Sequence, residues 1–343
     1  MGSRQPTSGD DGNQQEGRAA VLAALAGNAG IAITKFIAAA LSGSSAMLAE
    51  GFHSVVDTGN QACLLYGMRR AKKPADETHP FGYGQEIYFW AFVVAVLLFS
   101  LGAGFSIYEG IRAILHGEGH NEGFPITAVV VLLIAAVFEG YSCSVAFREF
   151  EEARDGKGLI SDARNRPRKL WTEFRDLKNP SIFVVMCEDT AALAGIVIAL
   201  LGVLLTWITG AAIFDAAASI LIGILLAATA AILAFEVKEL LIGEAADPKI
   251  KQNVREILHG YEEIIAVNEV RAMHLGPSDI LLALSVDFRD DVLAGRLEEV
   301  VSEAERRIRE AAPDVQRVFL EVQDRNDHED LAVPGASSVG TPA

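Results

Sequence analysis

Cysteine is scarce in this chain, and what there is stands apart. Cys63, Cys143 and Cys187 are the only three. No two are spaced as C-x-x-C, and all three fall in strongly apolar stretches. That excludes a disulfide framework and leaves small apolar packing residues, Cys187 being set apart only by the neighbouring Glu188 and Asp189. Basic charge is short as well: 29 Lys and Arg against 45 Asp and Glu leave a formal net charge of −16. No Lys/Arg cluster is interleaved with aromatics, so no nucleic-acid partner is expected. A signal-peptide pattern is also missing, since residues 1–17 are polar and Gly-rich and read with residue 18 as a disordered tail. No internal repeat is visible.

Apolar residues are what the chain has in excess. They make up 51% of its 343 residues, and the mean hydropathy is +0.28. A hydrocarbon core of roughly 30 Å is crossed by about 20 apolar residues in a helix. Six segments meet that length: 19–41, 46–68, 86–115, 126–147, 181–209 and 213–235. The second is the least apolar, as befits a helix hidden within a bundle. The loop 68–83 carries Arg69, Arg70, Lys72 and Lys73, and the loop 148–180 carries nine Lys or Arg. The remaining three loops carry none, so the positive-inside rule turns both termini to the cytoplasm.

After Glu236 the pattern becomes that of a small soluble domain. Asp247-Pro248 signals the start of a helix over 247–259. Residues 269–273 and 280–288 read as strands, 293–311 as a second helix and 315–322 as a third strand. The α-β-β-α-β order points to a ferredoxin-like α+β domain in the cytoplasm. The expected architecture is thus a polar tail over 1–18, an all-α six-helix transmembrane bundle over 19–235, a soluble domain over 236–324 and a disordered tail over 325–343.

Ionisable residues inside the apolar segments carry the functional signal. His53 and Asp57 lie in A-E-G-F-H-S-V-V-D, four apart and on one helix face. Asp189 lies in M-C-E-D-T-A-A-L-A-G. A charged carboxylate at mid-membrane costs about 3 kcal/mol on insertion scales, so such groups face a partner, a cavity or an ion. Imidazole and carboxylate suit a divalent transition metal. Glu188 is adjacent to Asp189, but helical neighbours diverge by about 100°. It joins the same site only through its longer stem or by local unwinding. Asn60 and Gln61 extend the polar stripe of the second helix and read as interhelical hydrogen-bonding groups. In the loop P-A-D-E-T-H-P-F-G-Y-G, Asp76 and His79 read equally as a metal pair or as a capped turn. Asp215, at the start of the sixth helix, reads as an N-cap. Glu86, Glu109 and Glu139 read first as interfacial or structural, with lining the path as the lesser alternative.

Taken together, A-E-G-F-H-S-V-V-D, the P-A-D-E-T-H-P-F-G-Y-G loop, E-D-T-A-A-L-A-G, D-A-A-A-S-I-L-I-G and L-L-I-G-E-A-A-D-P resemble the cation diffusion facilitators. The resemblance runs from about residue 19 to 324. It implies zinc, manganese or iron export by six helices with a cytoplasmic ferredoxin-like domain. It also implies a transport site on the second and fifth helices, carried here by His53, Asp57 and Asp189. Where most members have His or Asp one turn before Asp189, this chain has Val185. The Glu188-Asp189 pair resembles the zinc transporter nine-like branch, which brings Glu188 into the site. The family's loop site corresponds to Asp76 and His79, with Tyr83 in the third position. The soluble domain keeps only His259 and His274, which favours a dimerisation module over a metal sensor.

The expected function is therefore proton-coupled export of a divalent cation from the cytoplasm by alternating access. Zinc is the first candidate cargo, followed by manganese, iron and cobalt. The chain is expected to be a secondary transporter and not an enzyme, with no permanently bound cofactor. Its expected partners are the metal ion, protons, the lipid bilayer and a second copy in a homodimer, in a bacterial plasma membrane. A non-transporting scaffold or regulator, and an intramembrane aspartyl protease, are the alternatives.

Overall fold

The computed structural model describes residues 28–116, 125–153 and 180–331. The expected tail 1–18, the first turns of the first helix, most of the basic loop 148–180 and residues 332–343 lie outside the described residues. The chain divides into two compact units. One runs through Arg70 and resumes over Glu86–Lys238; the other joins Ala71–Gln85 to the residues from Glu239 onward.

The first unit is helical: α1 (Asn28–Ser42), α2 (Ser45–Ala71), α3 (Glu86–His116), α4 (Ile126–Ala153), α5 (Pro180–Thr209) and α6 (Ile213–Ile242). Among the described residues four of these, α3 to α6, are long and apolar enough to cross a membrane. Of the six spans expected, α1 is apolar but is described only from Asn28, and α2 is long but loses hydropathy to its polar inner side.

Polarity in this unit is inverted relative to a water-soluble fold. Lys35, Glu50, His53, Asn60, Glu109 and Asp215 are buried, while Ile37, Leu133, Val137, Tyr141, Val197 and Ile224 are exposed. In water such an apolar exterior is a liability. Against lipid it is what a spanning bundle requires, because every helix satisfies its own backbone. The chain is a multi-pass membrane protein.

Small residues let these helices approach. A Cβ added at Gly110 would lie 2.6 Å from Ile220 and 2.7 Å from the Ala216 carbonyl oxygen. One at Gly223 would lie 2.5 Å from Ile107 and 3.0 Å from the Ala103 carbonyl oxygen, so α3 and α6 meet through glycine. Their contact is sealed by the Ser219 hydroxyl, which donates to the Ser106 carbonyl at 2.8 Å. A π-helical turn, Leu98–Ala103, interrupts α3 just before this contact.

Asp215 caps a helix other than its own. Its carboxylate accepts from the Ser44 hydroxyl at 2.6 Å, the Ser45 backbone N–H at 2.6 Å and the Ser45 hydroxyl at 2.9 Å. An acidic oxygen at an N-terminus satisfies orphan amides and complements the helix dipole. The N-cap expected for the sixth helix is thus corrected: Asp215, third residue of α6, serves the start of α2.

The second unit holds α7 (Pro248–His259), β1 (Ile264–Gly276), β2 (Asp279–Phe288), α8 (Ala294–Ala311), β3 (Val315–Val322) and α9 (Arg325–Leu331). The order α-β-β-α-β is the one expected. Asp247 caps α7 by accepting from the Lys249 N–H at 2.8 Å, with Pro248 in the first turn. The sheet runs β1-β2-β3, with β1 antiparallel and β3 parallel to β2. Leu258, Leu282, Val286, Val300 and Ile308 fill the core between sheet and helices.

Two expectations are corrected here. β1 is far longer than 269–273, because register shifts between Ile264 and Ala266 and between Val267 and Glu269 break the period-two pattern that marks a strand. The tail expected to be disordered from 325 begins as α9. Its first turn is capped by Asp324, which accepts from the Asn326 N–H at 2.7 Å, and His328 Nδ1 lies 2.9 Å from Gln323 Oε1.

The α2–α3 loop belongs to this unit. Phe81 meets Phe319 of β3 edge-on at 6.3 Å, and the Arg317 guanidinium, held to Asp279 at 2.6 Å, lies 5.8 Å from the Phe81 ring centre. Gly84 packs directly on the backbone of Leu275 and Gly276. On leaving α6 at Gly243, whose φ of 107° stops the helix, the chain pairs along β1 through Ala246 N–H to Ala272 O at 3.1 Å.

Candidate functional site

The candidate residues of α2 and α5 converge inside the first unit. Asp57, Glu188 and Asp189 line one narrow polar cavity together with Asn28, Ser54, Gln61, Glu139 and Val185. Asp57 comes from the face of α2 read from the i, i+4 spacing. Glu188 and Asp189 both reach the cavity from a regular α5, so Glu188 joins by the length of its side chain, without unwinding. Val185, one turn before Asp189, shares the same face.

Neighbouring helices hold the acids in place. Asn60 Nδ2 donates to Glu188 Oε1 at 2.7 Å, tying α2 to α5. The Ser142 hydroxyl on α4 donates to Asp189 Oδ2 at 2.8 Å. Asn60 therefore serves the interhelical role expected of it, whereas Gln61 lines the cavity.

His53 stands beside the cavity wall. It is 1% exposed, and its Nδ1 lies 3.3 Å from Asp57 Oδ1. That contact does not meet hydrogen-bond geometry, and both ring nitrogens and Asp57 Oδ1 lack a hydrogen-bond partner among the described residues. Buried polar atoms in that condition cost about 1–3 kcal/mol each, which is tolerated where a ligand completes them. Among the described residues no three His, Cys, Asp or Glu side chains converge tightly enough to hold a metal as they stand. The candidate ligands share a cavity and not a finished coordination sphere.

The sequence reading missed Lys35. Its ammonium is fully buried and donates to Glu50 Oε2 at 3.0 Å and to the Ser54 hydroxyl at 2.7 Å. Glu50, also fully buried, is thereby neutralised one turn before His53. A positive charge in an apolar first helix was itself the available signal, because an intramembrane lysine requires an acidic partner. Glu139, read first as interfacial or structural and only second as lining the path, lines the cavity. Glu86 accepts from the Arg70 guanidinium at 2.8 Å and from the Trp90 indole at 3.0 Å, and Glu109 accepts from Arg112 at 2.7 Å.

Asp76 and His79 belong to the second unit and are not among the residues lining this cavity. Asp76 Oδ1 accepts from the backbone N–H groups of Thr78 and His79 at 3.0 and 2.8 Å, and Oδ2 accepts from the Tyr83 hydroxyl at 2.7 Å. That is the geometry of a capped turn. The Tyr83 hydroxyl, the Thr78 hydroxyl and the His79 N–H together hold the Asp76 carboxyl well below the usual carboxylate range. His79 stacks on Tyr83 at 4.1 Å, and its Nδ1 lies 3.8 Å from Asp76 Oδ1.

This bundle, with an apolar exterior and carboxylates gathered inside, is of the kind built for moving ions. Residues 21–242 match the family described as the cation efflux transmembrane domain. The chain belongs to that family, the cation diffusion facilitators, whose members are transporters and not enzymes. It is 31% identical over 254 residues to the mitochondrial proton-coupled zinc antiporter SLC30A9 of Homo sapiens, a match covering 74% of this chain and 43% of the relative. It is 30% identical over 281 residues to metal tolerance protein C4 of Arabidopsis thaliana, covering 82% of this chain and 59% of the relative. An uncharacterized transporter of Methanocaldococcus jannaschii is 22% identical over 308 residues, covering 88% of this chain and 96% of the relative. The chain falls near the SLC30A9 branch, and it spans less than half the length of the zinc antiporters it matches.

Proposed function

We propose that this chain exports a divalent transition-metal cation in exchange for protons, by alternating access around the cavity between α2 and α5. The observation that carries the reading is the convergence of Asp57, Glu188 and Asp189 from two helices on one polar cavity inside an apolar-clad bundle. Transporters place substrate and coupling-ion sites near mid-membrane, where helices meet. A neutral His53 and ionised carboxylates bind the cation. Protons arriving at His53 and at least one carboxylate compete for the same lone pairs and expel it. Zinc is the first cargo, supported by the name of the antiporters this chain is similar to, with manganese, iron and cobalt as further candidates.

In the same reading α1 and α2 complete a six-span bundle with both termini in the cytoplasm, supported by the basic residues of loops 68–83 and 148–180. The second unit is a cytoplasmic ferredoxin-like dimerisation domain, and the membrane is a bacterial plasma membrane. Asp76 and His79 keep the α2–α3 loop in shape, which the hydrogen bonds to Asp76 favour over a second metal site.

The test is metal flux in proteoliposomes containing the purified protein. Asp57→Ala and Asp189→Ala are each expected to abolish flux while the protein stays folded and monodisperse, and Glu188→Gln to weaken it strongly. Wild-type flux in folded Asp57→Ala or Asp189→Ala removes these residues from the site.

A further inference from the structure

Glu139 projects from a helix whose neighbouring surface is made for lipid. Leu133, Ile134, Val137, Phe138 and Tyr141 on α4 are all exposed. Yet Glu139 is half-buried and lines the same cavity as Asp57, Glu188 and Asp189. Its placement is set by the element that carries it. Ser142 lies three residues further along α4, on the same side, and its hydroxyl is fastened to Asp189 at 2.8 Å. The face of α4 that bears Glu139 is thereby held to α5 at the candidate ligand.

The cavity consequently gathers four carboxylates from three helices. Its other polar lining residues are Asn28, Ser54 and Gln61, which present amide and hydroxyl oxygens. The His53 imidazole, beside Asp57 at the cavity wall, is one nitrogen donor against these oxygens, and Cys143 and Cys187 do not line the cavity. The buried ammonium of Lys35 is already paired with Glu50. An oxygen-rich, strongly anionic donor set suits harder divalent ions of the manganese type, whereas nitrogen-rich tetrahedral sets suit zinc.

We infer that Glu139 is a specificity-determining residue of the transport site, and that its carboxylate extends the cargo from zinc to manganese. The inference rests on the transport reading and adds a ligand from a third helix to it. It gives α4, which otherwise contributes only a positioning hydroxyl, a direct part in choosing the ion.

The experiment is competitive transport of Zn2+ and Mn2+ in the same proteoliposomes, comparing wild type with Glu139→Gln and Glu139→Asp. The ratio of the two fluxes cancels differences in the amount of folded protein. Glu139→Gln is expected to lower the Mn2+ to Zn2+ ratio by roughly tenfold, chiefly through a higher KM for Mn2+, the low end of what lost support at a metal site costs. Glu139→Asp, which keeps the charge on a shorter stem, is expected to restore most of the ratio. Mn2+ binding to the detergent-solubilised variants, followed by electron paramagnetic resonance with Zn2+ as competitor, reads the same preference without transport. A Glu139→Gln protein that moves both ions at the wild-type ratio overturns the inference and leaves the transport reading standing. Wild-type protein that moves neither ion overturns both.

Discussion

Lys35 and Glu50 form an ion pair with no access to water, their nitrogen and oxygen 3.0 Å apart and both side chains 0% exposed. Such a pair adds little net stability over an apolar isostere, but removing one partner strands the other charge and costs about 3–5 kcal/mol. Lys35→Met is therefore expected to lower the thermal stability of the detergent-solubilised protein sharply, because Glu50 is left charged beside Ser54. Lys35→Met combined with Glu50→Leu is expected to recover most of that loss. If Lys35→Met alone melts like wild type, the pair is not closed in the folded protein. The pair also explains why His53 and Asp57 were legible as a pair in the sequence, whereas the charge of Lys35 was visible there and its partner was not. The former announce themselves by i, i+4 spacing on one helix. Lys35 acquires meaning only when α1 turns a chosen face toward α2, and a helix apolar nearly all round carries no periodic signal of that face. The place of Glu139 on the path was only the lesser reading for the same reason, its inward orientation being decided by the packing of α4 on α5.

At the level of elements, the α2–α5 contact depends on an absent side chain. Gly195 lies on α5 less than two turns beyond Asp189, and a Cβ there would collide with Glu50 Oε1. Glu50 cannot swing clear without giving up Lys35. Gly195→Ala is accordingly expected to destabilise by about 1–3 kcal/mol, the usual range for overpacking, and to slow metal flux. Gly30→Ala is the matched control, since a Cβ at Gly30 meets nothing within 4 Å and helical Ala is favoured over Gly by roughly 1 kcal/mol. Equal thermal stabilities of the two variants would contradict the close α2–α5 approach. Hydropathy showed that several helices cross a membrane, but not how they interlock. Asp215 was recognisable as a cap, yet its partners on α2 lie about 170 residues earlier in the chain. In the second unit the element order was readable from alternation and capping, and the extent of β1 was not, because its bulges shift the alternating pattern out of phase.

Across the whole molecule, the loop that continues from α2 belongs structurally to the unit after α6. The Asp76–Tyr83 hydrogen bond shapes that loop, and Phe81 and Gly84 seat it on the sheet. The segment that follows α2 is thus built into the second unit, and the sequence alone did not reveal it because the loop and β3 are far apart in the chain. The central claim concerns the first unit: the carboxylates of α2 and α5 exchange a divalent cation for protons. The most direct measurement reconstitutes wild type, Asp57→Ala and Asp189→Ala into sealed vesicles, imposes a Zn2+ gradient and follows metal and internal pH together. The account predicts coupled movement of metal and protons in opposite directions for wild type, and neither in the two variants. Zn2+ flux without proton movement, or coupled flux that survives in folded Asp189→Ala, would contradict it.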